Sequence, residues 1–187
     1  MIRLSVGGIP IPPSKLIYPE ELMITLYNII STDGFIARKD GSEDFIPDNL
    51  WKNFLSICKE YGTLIIGRRT YDIIQSYDKE LQDSFVALPI RKIVVSGNKN
   101  LNLKNGYTIV NTPEDAIALA PDALVSSGPI LNNYLIKNHL VKEIIFHEIP
   151  VLIGDGIKPF DKTKLILKVI DNVPQLEGIK VIKYNLD

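Results

Sequence analysis

Short apolar runs alternate with amphipathic segments along most of this chain. Residues 23–30 are almost continuously apolar and rich in β-branched side chains, which is typical of a strand covered on both faces. Similar runs predict strands over residues 63–67, 91–96, 107–110, 123–126 and 141–149. Helical spacing of apolar residues predicts helices from residue 48 or 49 to 61 and over residues 69–76, 113–119 and 130–138. This alternation favours an α/β fold with a mostly parallel sheet and helices on both faces.

The two ends of the chain differ from this regular middle part. Two further strand-like runs, residues 164–171 and 178–184, predict an antiparallel hairpin at the edge of the sheet. Residues 1–22 contain four prolines and lack the basic start and long apolar core of a secretory signal. We therefore expect an N-terminal arm over residues 1–22 and one domain over residues 23–187.

Composition narrows the possible partners. The 187 residues are 45% hydrophobic and 23% charged, with a net charge of -1. Because the chain has no excess of basic residues, nucleic acid is a poor candidate for its partner. No apolar run is long enough to predict a membrane-spanning helix. Cys58 is the single cysteine and lies in an apolar helical pattern, which predicts a buried free thiol and favours the cytoplasm. His139 and His147 show no metal-ligand spacing, so we predict no metal site.

Polar and glycine-containing segments follow four of the predicted strands. In open α/β sheets, ligands bind beyond the carboxyl ends of the strands. Three of these four segments, at residues 67–70, 96–98 and 126–129, suit phosphate. Arg68 and Arg69 offer guanidinium groups, and the helix starts after residues 67 and 128 offer free backbone N–H groups. Either junction alone would more often be a solvated surface and a turn, but two in one small sheet favour a phosphate site. The dinucleotide fingerprint, the P-loop and the hydrolase elbow are all absent from the sequence.

Several motifs together resemble the dihydrofolate reductase superfamily. In the first half these are residues 31–37 (STDGFIA), 41–45 (GSEDF) and 67–72 (GRRTYD). In the second half, residues 127–129 resemble the cofactor glycine pair, and residues 140–160 resemble the closing motif of the riboflavin-type branch. The resemblance covers roughly residues 23–187. It implies a dihydrofolate reductase-like three-layer sandwich with a sheet of about eight strands.

The resemblance also implies an NADPH-dependent reductase whose cofactor spans the strand ends. The family's Gly-Gly pair is Gly128-Pro129 in this chain. Because proline has no backbone N–H, Pro129 cannot make the hydrogen bond to a phosphate that a glycine could make. The cofactor-binding residues that the resemblance implies are Ile36, Ala37, Gly67, Arg68, Arg69, Thr70, Ser96, Ser127, Gly128, Pro129 and Ile130.

Reduction of a C=N bond needs a group that positions the substrate and protonates its nitrogen. In this superfamily a carboxylate does so, and Glu43, Asp44, Asp48 and Asn49 are the candidates. An alignment through residues 46–50 places the family acid on Asn49 or, with a shift of one, on Asp48, whereas the riboflavin-type branch has an aspartate at position 44. Because an asparagine carries no charge, we predict Asp48, and then Asp44, as the catalytic acid. Asp48 could equally serve only as a helix N-cap.

The substrate itself is left open between several possibilities. The predicted substrate-binding residues are Ile29, Phe45, Asn49, Trp51 and Phe54. The 67–72 motif favours 7,8-dihydrofolate, and the closing motif favours the ribosylamino-pyrimidine phosphate of riboflavin synthesis. A nucleotide-binding protein without pterin chemistry is a third possibility. Unpaired edge strands are usually covered, so we also expect a homodimer.

Overall fold

The computed structural model describes residues 24–98, 100–161, 167–174 and 179–186, the side chains of 167–174 excepted. The strands are β1 Ile24–Ser31, β2 Ala37–Arg38, β3 Thr63–Gly67, β4 Arg91–Val95, β5 Thr108–Val110, β6 Leu124–Val125, β7 Val141–Ile149, β8 Gly156–Ile157, β9 Leu167–Pro174 and β10 Lys180–Leu186. The helices are α1 Asn49–Tyr61, α2 Arg68–Ser76, α3 Lys79–Val86, α4 Pro113–Leu119 and α5 Pro129–Lys137.

Eight of the described strands form one sheet in the order β5-β4-β3-β6-β1-β7-β10-β9. The pairs from β5 through to β7 are all parallel. Strand β10 is antiparallel to both β7 and β9, so the last two strands form a hairpin at one edge. This confirms the predicted eight-stranded, mostly parallel sheet with its C-terminal edge hairpin.

Alternation along the central strands divides the core into two layers. In β3, Leu64 and Ile66 pack with buried residues of α1, α2 and α3, such as Phe54 and Phe85. The intervening Ile65 packs on the opposite face with residues of α4 and α5. Successive side chains of a strand point to opposite faces, so a continuously apolar strand needs a layer of helices on each side. The three-layer arrangement is therefore confirmed.

Local interactions explain the elements that the sequence pattern misses. Helix α3 was not predicted, because among its residues only Phe85 is buried; it begins where the Asp78 side chain accepts a hydrogen bond from the Leu81 N–H. Strands β2 and β8 pair with each other over two residues each, which is too short to show the alternation of apolar and polar residues that marks a strand. Helices α2 and α5 each begin one residue earlier than predicted, directly after Gly67 and Gly128.

Three further predictions concern the thiol of Cys58, the N-terminal arm and membrane-spanning helices. Cys58 is fully buried, as predicted, and burial raises the pKa of its thiol to about 12. The predicted arm, residues 1–22, lies outside the described residues. Among the described helices, none has the length and apolar character needed to cross a bilayer.

Candidate functional site

A cleft of about 960 Å³ lies along the carboxyl ends of the central parallel strands. Its floor includes the last residue of β3 and the residues that follow β4 and β6, and its walls come from α1, α2, α5 and the loop after β2. The residues that follow parallel strands meet at one sheet edge, which explains why segments distant in sequence share this cleft. A volume near 1,000 Å³, roughly the upper end for small-molecule sites, has room for a large cofactor together with a small substrate.

One end of the cleft is suited to anions. Gly67 and Gly128 are the N-cap residues of α2 and α5, and neither helix start receives a side-chain cap. Backbone N–H groups at an uncapped helix start are free to bind an anion and carry the positive end of the helix dipole. Arg68 and Arg69, in the first turn of α2, add two guanidinium groups to the lining.

The two arginines are held differently. Arg68 Nε lies 2.8 Å and 2.7 Å from the two carboxylate oxygens of Asp72, one turn further along α2. This pairing orients the Arg68 guanidinium and leaves its terminal nitrogens without a partner among the described residues. Arg69 is exposed and has no hydrogen bond or ion pair within that part of the chain, and its guanidinium lies near Gly41.

Ser127 joins the two helix starts. Its Oγ accepts a hydrogen bond of 3.1 Å from the Gly67 N–H, and its carbonyl oxygen accepts 3.0 Å hydrogen bonds from the side-chain amides of Asn28 and Asn132. A Cβ at Gly67 would lie only 2.7 Å from Ser127 Oγ, so a larger residue there would displace the serine hydroxyl. Ser127 thus fixes the loop after β6 against the loop after β3.

The other end of the cleft combines carboxylates with aromatic rings. Trp51 contacts Phe54 and Tyr77, with ring centroids 5.6 Å and 5.4 Å away, and Trp51 Nε1 donates a 2.8 Å hydrogen bond to Ser84 Oγ. Tyr27 stacks on Phe54 at 5.7 Å. These packed rings form an apolar wall that suits a flat organic ring.

Three carboxylates line this aromatic end, and their surroundings differ. Asp44 is exposed and pairs with Arg38 at 2.6 Å. Asp48 is exposed at the start of α1, and its side chain makes no capping hydrogen bond. Glu43 is partly buried and accepts a 3.3 Å hydrogen bond from the Tyr77 hydroxyl.

Burial distinguishes Glu43 chemically from the two aspartates. Desolvation raises the pKa of the Glu43 carboxyl, and the hydrogen bond from Tyr77 opposes this shift only in part. Burial, followed by the neighbouring Glu43, also raises the pKa of the Tyr77 hydroxyl. A carboxyl that keeps its proton closer to neutral pH is the property that a general acid requires.

Below the cleft floor, Tyr27 contacts a buried histidine of β7. The Tyr27 hydroxyl oxygen and His147 Nδ1 share a hydrogen bond of 3.2 Å, and His147 is 7% exposed. Burial lowers the pKa of His147 from 6.5 to about 4. His147 is therefore neutral at neutral pH and packs as part of the core.

The lowered pKa of His147 predicts an acid-sensitive fold. Between about pH 6.5 and about pH 4, the His147 imidazole binds a proton in the unfolded chain but stays neutral in the folded chain. The free energy of unfolding therefore falls as the pH falls through this range. His147→Gln is expected to remove about 2 kcal/mol of the stability difference between pH 7 and pH 5. Urea unfolding at the two pH values measures this difference.

His139, the second histidine, provides the matched control. It is exposed beyond the end of α5 with a φ of 54°, a conformation that asparagine also tolerates. His139→Asn should leave the pH dependence as it is in the original protein. An unchanged pH dependence in His147→Gln would contradict the role assigned to the buried ring.

Most of the predicted site residues lie together in this cleft. Those that line it are Ile29, Ile36, Ala37, Asp44, Asp48, Trp51, Phe54, Gly67, Arg68, Arg69, Thr70, Ser96, Ser127, Gly128, Pro129 and Ile130. Phe45 instead packs against the buried cluster of Leu50, Ile149 and Ile179, and Asn49 is the exposed first residue of α1. The catalytic and binding roles of these residues stay predictions.

Two contributions to the site do not follow from the sequence pattern. Tyr77, the partner of Glu43, directly follows the last residue of α2 and belongs to no motif. Asp33 accepts hydrogen bonds from the Ser31 hydroxyl and from the N–H groups of Ile153 and Gly154, which ties the turn after β1 to the loop after β7. The Asp33-Gly34 dipeptide marks a turn, but nothing in it indicates this distant partner.

Comparison with known proteins supports the fold. No family model matches the sequence. The chain is 29% identical over 164 residues to the uncharacterized protein YwjB of Bacillus subtilis, covering 79% of this chain and 90% of that one. It is 27% identical over 172 residues to the riboflavin biosynthesis protein RibD of Corynebacterium ammoniagenes, covering 82% of this chain. Because it spans 51% of RibD, it matches about half of that protein.

Solved structures show the same architecture. A Shewanella protein described as a riboflavin biosynthesis protein superposes with a TM-score of 0.71 at 23% identity, covering 88% of this chain and 99% of that one. Dihydrofolate reductase of Enterococcus faecalis, solved in complex with NADP(H) and RAB-propyl, superposes with a TM-score of 0.64 at 18% identity, covering 88% of this chain and 96% of that one. The chain therefore has the dihydrofolate reductase-like fold that the motifs predicted.

Proposed function

We propose that this chain is a nicotinamide-dependent reductase that uses NADPH to reduce a C=N bond in a pterin or a related pyrimidine. One observation carries the proposal: a single cleft joins an anion-binding end, formed by two uncapped helix starts and two arginines, to an aromatic end with carboxylates. A dinucleotide phosphate suits the first end and a flat reducible ring suits the second. The similarity to RibD and to a dihydrofolate reductase solved with NADP(H) supports it.

The residues at the anion-binding end fit a nicotinamide dinucleotide. Arg68, Arg69 and Thr70 would hold its phosphates together with the N–H groups at the start of α2. Ser96, Ser127 and Gly128 would lie along the ribose and pyrophosphate, while Pro129 can offer no N–H. Ile36 and Ala37, on the loop and strand beside the cleft, would flank the nicotinamide. The bound cofactor would supply the hydride.

Glu43 is the acid that we propose for proton delivery to the substrate nitrogen. It lines the cleft, burial favours its protonated form, and Tyr77 fixes the position of its carboxyl group. Asp44 is exposed and paired with Arg38, and Asp48 is exposed to water, so neither carboxylate is enclosed by the protein as Glu43 is. Asp48 and Asp44 remain the alternatives that the sequence predicts.

The first experiment is a direct assay of purified protein. Binding of NADPH is followed by the fluorescence of the reduced nicotinamide, and its oxidation by loss of absorbance. The substrates are 7,8-dihydrofolate, 7,8-dihydropterin and the ribosylaminopyrimidine of riboflavin synthesis with and without its phosphate. Oxidation that depends on any of these rings supports a reductase. If NADPH does not bind at millimolar concentration, the proposed function is wrong.

Arg68 predicts selectivity between the two nicotinamide cofactors. Arg68→Ala is expected to raise the Kd for NADPH by about tenfold or more, with little change for NADH, because only NADPH carries the additional phosphate. Nicotinamide fluorescence titration measures both constants. An equal loss for the two cofactors would show that Arg68 does not read the additional phosphate.

Lys79 provides a matched control for Arg68. It is the first residue of α3 and pairs with Asp83 one turn later, just as Arg68 begins α2 and pairs with Asp72. Lys79 does not line the cleft. Lys79→Ala removes the same charge and the same type of ion pair, and it should leave both cofactor constants unchanged.

A further inference from the structure

Gln82 lies in α3, and every polar atom of its side chain has a hydrogen-bond partner. Its Nε2 lies 2.6 Å from the carbonyl oxygen of Tyr77 and 3.0 Å from that of Gln75. Its Oε1 accepts a 2.8 Å hydrogen bond from Lys104 Nζ. A side-chain amide has two N–H groups and one carbonyl oxygen, so these three contacts use both its donors and its acceptor. The Gln82 side chain is therefore held in one orientation.

The backbone of Tyr77 depends on this contact. Tyr77 follows the last residue of α2 in an extended conformation, so it lies outside the regular hydrogen bonds of that helix. Its N–H lies 3.4 Å from the Ile74 carbonyl oxygen, which is longer than the roughly 2.7–3.2 Å of a typical N–H···O hydrogen bond. The contact between Gln82 and the Tyr77 carbonyl is much shorter. A side chain of the next helix thus holds the residue that ends this one.

The side chain of Tyr77 reaches from this fixed backbone to Glu43. Its hydroxyl donates the 3.3 Å hydrogen bond to the Glu43 carboxylate, and its ring contacts the Trp51 ring edge to face at 5.4 Å. Trp51 Nε1 in turn donates to Ser84 Oγ. Two residues of α3 therefore support Tyr77: Gln82 holds its backbone, and Ser84 supports its ring through Trp51.

We propose that Gln82 is a positioning residue for proton delivery: by holding the Tyr77 carbonyl, it keeps the Tyr77 hydroxyl on the carboxyl group of Glu43. The inference rests on the proposed function, in which Glu43 delivers the proton. Gln82 itself does not line the cleft, so it acts on the reaction through Tyr77. Helix α3 then contributes to the chemistry without a contact between Gln82 and the substrate.

The pKa of Glu43 reports whether the contact with Tyr77 is kept. Burial raises this pKa and the hydrogen bond from Tyr77 lowers it, so loss of that hydrogen bond should raise it further. The other charged side chains that line the cleft, or pair with one that does, are Arg38, Asp44, Asp48, Arg68, Arg69 and Asp72. None of them is altered by a substitution at position 82.

Carbon-13 NMR of protein labelled at its glutamate carboxyl carbons measures the pKa of Glu43, whose signal is the one missing from Glu43→Gln. Gln82→Met and Gln82→Leu each keep a neutral side chain that favours helix and remove all three hydrogen bonds. We expect the pKa of Glu43 to rise by about half a pH unit in both, as in Tyr77→Phe, which lacks the hydroxyl. The Kd for NADPH should stay within about twofold, which shows that the cleft is folded.

Turnover tests whether Gln82 acts through Tyr77. Gln82→Met and Tyr77→Phe are each expected to lower kcat by about tenfold. The double variant should lose no more than about twofold beyond Tyr77→Phe, because the hydroxyl through which Gln82 acts is already absent. Two losses that multiply to about a hundredfold would overturn the proposal, because Gln82 would then act independently of the hydroxyl.

Gln75 provides the matched control. Its side chain is partly buried like that of Gln82, and its Nε2 donates to the Tyr107 hydroxyl at 3.3 Å. Gln75 does not line the cleft either. Gln75→Met removes this side-chain hydrogen bond and keeps the backbone carbonyl, so the pKa of Glu43 should stay as it is and kcat should stay within about twofold. An equal effect of Gln75→Met and Gln82→Met would assign the change to α2 as a whole and overturn the role of Gln82.

The outcomes separate this inference from the proposed function. An unchanged pKa of Glu43 in both Gln82 variants overturns the inference, even if the protein reduces a ring with NADPH. A raised pKa with unchanged turnover overturns it as well, because the contact with Tyr77 then has no part in proton delivery. If the original protein does not bind NADPH, the proposed function is wrong and the inference is wrong with it.

Discussion

Glu43→Gln is expected to lower the turnover of the reducible substrate by about 10²-fold or more, the range typical of removing a general acid. Glutamine keeps the size of the side chain and an oxygen that can accept the hydrogen bond from Tyr77, but it has no proton to deliver. The Kd for NADPH should stay within about twofold, because Glu43 contacts Tyr77, which follows the last turn of α2, whereas the proposed phosphate site lies at the first turn of that helix. Steady-state kinetics and cofactor titration measure the two effects.

The pH dependence of turnover provides a second readout. If protonated Glu43 is the active form, turnover falls as the pH rises through its raised pKa, and this fall should be absent from the residual activity of Glu43→Gln. A merely structural role for Glu43 would lower turnover without removing the pH dependence.

The two aspartates of the same loop provide controls for Glu43. Asp48→Asn and Asp44→Asn each remove a carboxylate that lines the cleft but is exposed to water. We expect each to change turnover by less than about tenfold, because neither carboxyl group is enclosed and held in the cleft as Tyr77 holds Glu43. A larger loss in Asp48→Asn than in Glu43→Gln would move the acid to the residue that the sequence favours.

The sequence predicts the sheet well because its central strands are buried on both faces. Such strands have continuous apolar runs, as in Thr63–Gly67, and the helices between them show clear apolar spacing. Helix α3 was missed because its position depends on one buried residue, Phe85, and on a cap from Asp78. Strands β2 and β8 pair only where the rest of the fold brings them together, so local sequence carries no signal for them.

The position of the cleft could be predicted from the sequence, whereas the burial of Glu43 could not. Turn residues after parallel strands mark the ligand-binding edge in any fold of this type, and Gly67, Ser96 and Ser127 all lie there. Glu43 and Asp44 are neighbours in the sequence with similar chemistry. The fold buries the first against Tyr77, 34 positions further along the chain, and leaves the second at the surface with Arg38. Burial by a distant element leaves no local pattern.

Asn132 is the buried polar residue on which the geometry of the anion-binding end depends. It is fully buried in α5, and its Nδ2 lies 2.9 to 3.1 Å from the side-chain oxygen of Asn28 and the carbonyl oxygens of Ser127 and Pro159. These contacts join β1, the loop after β6 and the segment after β8. A buried amide that serves several acceptors is costly to remove. The Ser127 carbonyl would keep the hydrogen bond from Asn28, but the Asn28 side-chain oxygen and the Pro159 carbonyl would lose the donor that Asn132 provides.

Asn132→Ala is therefore expected to lower the free energy of unfolding by about 3 kcal/mol. It should also weaken NADPH binding by about tenfold, because Ser127 and Asn28 both line the cleft and lose a shared support. Urea unfolding and nicotinamide fluorescence titration measure the two losses on the same protein.

The adjacent Asn133 provides the control, because its substitution separates the loss of the buried amide from a general effect on helix α5. Its side chain exchanges two hydrogen bonds with Asp161, at 3.0 Å and 2.9 Å, but it does so at the protein surface, where water can replace them. Asn133→Ala should cost less than about 1 kcal/mol and leave NADPH binding unchanged. If the two alanine variants lose equal stability, the helix rather than the Asn132 amide supports the site. Asn132→Ala could also lose stability but bind NADPH as before. That result would show that Ser127 keeps its position without this amide. The hydrogen bond between Ser127 Oγ and the Gly67 N–H would then be sufficient to hold the two helix starts together.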